Sequence, residues 1–152
     1  MQLNKFTKTV LALVVMLNVK GLNPTMQNYV DQQLMATALF DFATIIALDG
    51  TVQGTSDSAI TVDQTNFNKL LDFFSTQNPD ILTAAPGFKL QMYYIYFSGT
   101  DTVARFKKLK YGLHVFKTLL TVIIARYVDP VQPQQASNAV EKLGEYMIST
   151  GY

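Results

Sequence analysis

Seven apolar residues, Phe106, Leu109, Leu113, Phe116, Leu120, Ile123 and Tyr127, follow one another at alternating steps of three and four. That spacing puts all seven on one face of a helix and predicts a long amphipathic helix over Thr102–Tyr127, the element around which the other helices pack. The same stretch carries Arg105, Lys107, Lys108, Lys110, Lys117 and Arg126 and no acidic residue, a local charge of +6. Lys107, Lys110, His114 and Lys117 recur at helical spacing as one stripe, and Arg105 and Lys108 widen its start. A basic stripe of this kind neutralises phosphates without reading bases, and it also suits anionic lipid. The candidate nucleic-acid-binding set is therefore Arg105, Lys107, Lys108, Lys110, His114 and Lys117. A merely solvated face is the competing reading.

The remaining segments suggest more helices and a little β structure. Asn23-Pro24 is a helix start, a capping side chain followed by Pro at the first helical position. The apolar run Leu34–Leu48 extends that helix until Asp49-Gly50, and its lack of a polar face predicts enclosure. Residues 51–62 read as a small β-hairpin around Gly54–Ser58. Thr61-Val62-Asp63-Gln64 matches a capping box, and Phe67, Leu70, Leu71 and Phe74 form the buried face of the helix it opens. Asn78-Pro79 restarts a short helical turn. Residues 88–97 alternate in their first half and are rich in aromatics, which favours a strand, and the 51–62 hairpin is then its natural partner; a helix is the other reading of this stretch. Tyr93, Tyr94, Tyr96 and Phe97 would be a stacking platform for bases if they faced outward, although aromatics at such spacing are more often core. Gly112 weakens the long helix and marks a bend. A last helix over Gln134–Ile148 buries Ala136, Val140, Leu143 and Met147. The expected architecture is mainly α, one domain over 1–152: a bundle of about five helices with a small β element at 51–62, joined by 88–97 if that stretch is a strand.

Charged residues make up 15% of the 152 residues, against roughly 25% in typical soluble domains. With so few charges to keep copies apart, the composition points to self-association or a membrane neighbour. Net charge is +1 overall. At the N-terminus, Lys5 and Lys8 precede the apolar run Val10–Leu17, which has the shape of a signal peptide without a small-x-small cleavage site. The leading reading of residues 1–20 is instead a retained core or interface helix, with a membrane-touching helix as a third. The segment is too short to span a bilayer, which needs about 20 apolar residues.

Catalytic and metal chemistry find little support. The chain has no cysteine and a single histidine, which rules out thiolate chemistry and any site needing two His ligands. There is no Gly-x-Ser-x-Gly elbow, and Gly50–Gly54 lacks the Lys-Ser/Thr of a phosphate loop. Asp49–Asp57 partly mimics a calcium loop, but Ile60 stands where the bidentate Glu belongs. Asp41, inside an apolar run, needs a partner to stay ionised, and Arg126 or a Lys can supply it. No cofactor, metal or enzymatic activity is expected. The leading functional expectation is a self-assembling coat or nucleoprotein subunit that contacts nucleic-acid backbone, in a virion or an intracellular assembly. The alternative is a secreted or membrane-associated helical protein with an apolar pocket walled by the Leu34–Leu48 run.

Overall fold

The computed structural model describes residues 23–152, and the expected helix over 1–20 lies outside them. The elements begin with helix α1 (Pro24–Asn28), prolonged by a π-helical turn (Tyr29–Leu34) and a 3-10 turn (Met35–Thr37). Strands β1 (Phe42–Ala47) and β2 (Val52–Thr55) follow, then helices α2 (Gln64–Thr76) and α3 (Asp80–Thr83). Five strands come next: β3 (Phe88–Leu90), β4 (Met92–Gly99), β5 (Val103–Lys108), β6 (Tyr111–Lys117) and β7 (Thr121–Val128). Helix α4 (Pro133–Ser149) ends the series. The strands form a seven-stranded sheet in the order β2-β1-β7-β6-β5-β4-β3, and every pairing is antiparallel.

This sheet overturns the expected mainly α bundle. The stretch read as one long helix is β5, β6 and β7, joined by two tight turns. Of the seven residues that shared its helical face, Leu109 and Leu120 are exposed in those turns. The other five are buried, but on opposite sides of the sheet. Phe106 and Leu113 join one core, and Phe116, Ile123 and Tyr127 join the other. A strand covered on both faces is apolar at nearly every position, so a helical period can be drawn through it by chance. The β-branched run Thr121-Val122-Ile123-Ile124 is the signal that outweighs that period.

The enclosed helix expected over Leu34–Leu48 fails for the same reason. Asn23 does cap α1, its Oδ1 accepting from the Thr25 and Met26 amides at 2.9 and 3.4 Å. The helical segment stops at Ala38, which adopts φ +60°, and the run Thr44-Ile45-Ile46 becomes a buried central strand. β2 pairs with β1 rather than with residues 59–62. The 88–97 stretch is two strands whose outer partner is β5, not the 51–62 segment. Asp63, rather than Thr61, caps α2, accepting from the Asn66 amide at 2.7 Å. α4 lies close to its expected range, with Ala136, Val140, Leu143 and Met147 buried as their spacing predicts.

Each face of the sheet is covered by helices, but unevenly. α2 and α3 bring Phe67, Leu70, Phe73 and Leu82 against Phe42, Phe88, Phe106 and Ile124 on one face. α1 and α4 bring Met26, Val30, Val140 and Met147 against Ile45, Phe116, Ile123 and Ala125 on the other. Each such large apolar side chain contributes roughly 1.5–3 kcal/mol by leaving water. α1 and α4 pack on β1, β2, β6 and β7. Among the described residues, nothing covers the β3-β4-β5 end of that same face.

Candidate functional site

The open end of the sheet exposes three large apolar side chains at alternate positions of one strand. Tyr93, Ile95 and Phe97 on β4 are 41%, 68% and 49% exposed. Side chains of period two share a face, so these three make a stripe of roughly 13 Å at about 3.3 Å per residue. The intervening Tyr94 points the other way and is fully buried, and Tyr96 packs its ring against Phe73 and Phe106. A contiguous apolar patch of this kind on a sheet face marks a place where another macromolecule docks.

Cations frame the stripe. Lys89 pairs across from Tyr93 and sets its Nζ 5.7 Å from the ring centroid. Lys107 lies opposite Ile95, with its Nζ 5.5 Å from the ring of Tyr127. Between Tyr96 and Ser98 the β4–β5 register slips by one residue, a bulge that leaves Phe97 without a partner on β5. Arg105 then pairs with Ser98 and donates from Nη1 to its Oγ at 3.3 Å. An apolar centre with a basic rim fits a protein surface whose own apolar patch is edged by carboxylates.

Gly112 leaves room on this face for the Tyr127 ring. It pairs with both Lys107 and Tyr127, and a Cβ there would collide with the Tyr127 ring. The glycine expected to bend a helix is instead the space into which Tyr127 lies across the sheet.

The residues chosen as a nucleic-acid stripe are not one stripe. Arg105 and Lys107 lie on the open face. Lys108 and Lys117 alternate onto the opposite side of the sheet, near the two ends of β5 and β6. Lys110 is in the β5–β6 turn, and Lys117 donates to the Thr118 carbonyl at 3.1 Å. His114 is only 2% exposed, covered by α4, so it cannot reach a phosphate. Its Nε2 lies 4.0 Å from Glu141 Oε1 with no hydrogen-bond partner among the described residues. Burial drives its pKa down to about 4, against the opposing pull of Glu141 and with help from Arg105. The ion pair expected for Asp41 does form, Arg126 Nε donating to Asp41 Oδ1 at 2.8 Å. Ile95, the most exposed member of the stripe, was not singled out by sequence. Its signal was the outward half of the 93–97 alternation.

A second concavity, an open groove of about 660 Å³, runs between α4 and the π-helical and 3-10 turns that follow α1. Tyr29 and Tyr146 meet edge to face there, 6.2 Å between ring centroids, and Leu39, Ala139 and Leu143 form its apolar floor. Gln32, Gln33, Gln135 and Asn138 make its rim polar. It is lined by helix and turn residues rather than by an enclosed apolar helix.

The profilin family model matches residues 25–152. The chain belongs to the profilin family. Profilin of Drosophila melanogaster is 44% identical over 126 residues, 83% of this chain and 98% of its own. The solved structure of Acanthamoeba castellanii profilin IA aligns with a TM-score of 0.74 at 31% identity, covering 83% of this chain and 98% of its own. LokiProfilin1, crystallised in complex with rabbit actin, shares the fold with a TM-score of 0.65 at 13% identity, covering 85% and 98% of the two chains. Membership in the profilins replaces the expected coat or nucleoprotein subunit and the secreted apolar-pocket protein. With them go the expected partners, a second copy of the chain and nucleic acid. The physical reason lies in the sheet, which disperses the basic residues and turns the supposed pocket wall into strand β1.

Proposed function

We propose that this profilin is a non-enzymatic binding protein for monomeric actin and docks it on the open β4–β5 face. The observation that carries the reading is the stripe Tyr93, Ile95 and Phe97, exposed on a sheet that is otherwise covered by helices. The partner is suggested by the complex that a protein of this fold forms with rabbit actin. Exposed aromatics and Arg are the residue types that carry most of the energy at protein interfaces. Lys89, Arg105 and Lys107 steer an acidic surface towards the stripe.

Titration of the full-length protein into monomeric actin by analytical ultracentrifugation tests this. A one-to-one complex is expected, weakening as salt rises because rim charges are screened within about 10 Å at 0.1 M ionic strength. Failure to form a complex at low salt would remove actin as the partner.

A further inference from the structure

Arg126 is a buried cation in the middle of the sheet, 8% exposed. Its place on β7 lies two strands away from β5 in the sheet order. Its guanidinium does three things at once. Nε donates to Asp41 Oδ1 at 2.8 Å, and Nη1 donates to Gln91 Oε1, also at 2.8 Å. The planar group lies near two rings, 5.3 Å from the centroid of Tyr111 and 6.0 Å from that of Phe42. Burying a guanidinium is costly in desolvation, and an ion pair seldom repays it as stability alone. The second arm, to Gln91, therefore calls for its own account.

Gln91 is the single residue between β3 and β4, and it adopts φ +63°. A non-glycine side chain in that region is strained and is held there by its surroundings. The hairpin it closes is an overhang. β4 pairs with β5 only from Ile95 onward, so among the described residues Met92, Tyr93 and Tyr94 pair with β3 alone. The overhang carries Lys89 and Tyr93, one end of the docking stripe. It is tied down by burial of Phe88, Leu90 and Tyr94, by the Lys89 amide donating to Asn66 Oδ1 at 2.9 Å, and by the Arg126–Gln91 bond.

We propose that Arg126 is a positioning residue for partner binding, fixing the β3–β4 hairpin through Gln91 so that Tyr93 stays in line with Ile95 and Phe97. The inference rests on the docking face described above. The guanidinium suits the task because its donors leave in fixed directions in one plane, which a lysine ammonium does not offer. Its bond to Asp41 fixes the plane, and the plane then fixes Gln91. Arg126 touches no partner itself. Its loss lowers the fraction of molecules with an aligned stripe, and apparent affinity falls by that fraction.

The test measures actin association and dissociation rates for the full chain and the variants Gln91→Ala, Gln91→Glu, Arg126→Lys and Tyr93→Ala. Gln91→Ala is expected to weaken binding about 5-fold through a slower association rate, with dissociation little changed. Gln91→Glu keeps an acceptor for Nη1 and should restore wild-type rates. Arg126→Lys should match Gln91→Ala, and the double variant should be no weaker than either alone, because both cut the same bond. Tyr93→Ala removes a contact and should act on dissociation instead. If Gln91→Ala binds at wild-type rates while Tyr93→Ala weakens the complex, the positioning role is wrong and the docking face stands. If Tyr93→Ala also binds as wild type, the docking face itself is wrong. Gln91→Ala leaves the Arg126–Asp41 pair intact, so the test holds even if Arg126→Lys does not fold.

Discussion

Replacing Ile95 by aspartate is expected to weaken actin binding about 100-fold, a loss of about 2.7 kcal/mol. Ile95 is the central residue of the stripe and the most exposed of the three, at 68%. Energy at protein interfaces concentrates in such central, desolvated positions. An aspartate there would be buried by the partner without a counter-charge from it. It would also stand opposite Lys107 and neutralise a cation that the basic rim supplies. The free protein should hardly notice, since exposed substitutions usually change stability by less than about 0.5 kcal/mol. Calorimetric titration of Ile95→Asp beside a thermal unfolding curve separates the two effects. Wild-type affinity in a folded Ile95→Asp protein would place the interface elsewhere.

Acid should destabilise the fold through His114 well before most carboxylates are protonated. Its imidazole is buried between β6 and α4, and burial lowers its pKa from the ordinary 6.5 to about 4. The unfolded chain therefore binds a proton at this position that the folded chain refuses. Stability is fully present above pH 6.5 and declines as pH falls towards 4, by about 1.4 kcal/mol per unit. The loss over that window is about 3 kcal/mol, a large part of the 5–15 kcal/mol typical of a domain. Two carboxylates act in a separate window. Asp49 and Asp63 are held below the ordinary carboxylate range by hydrogen bonds from Thr51 and Asn66, so they begin to matter only under about pH 4. Urea unfolding at pH 7.5 and pH 4.5 should show the drop in the wild type and a much smaller one in His114→Gln. An equal drop in both would assign the acid sensitivity to other groups.

Parts of this molecule were legible in the sequence, and the divide is physical. α4 was readable because one of its faces meets water, so its apolar residues keep the helical period. Asn23 was readable as a cap because side-chain capping is local chemistry. The Asp41–Arg126 pair followed from the cost of an unpaired carboxylate in an apolar run. The central strands were not readable, because β1, β6 and β7 are buried on both sides. In such strands alternation disappears, and length, turns and β-branching must decide instead. The Leu109-Lys110 turn was hidden because Leu109 takes φ +54° where Gly or Asn would announce a hairpin. The candidate site depended on that misreading. Once 102–127 was drawn as a helix, the cations fell into a stripe and the outward half of 93–97 had no sheet to stand on.

Hydrogen exchange of the full-length protein with and without monomeric actin tests the central claim most directly. Binding on the open face should slow exchange at the amides of β4 and β5, residues 92–108, and leave residues 29–39 and 135–146 around the groove beside α4 unchanged. Protection confined to the groove, with β4 and β5 exchanging as in the free protein, would contradict the proposed docking face.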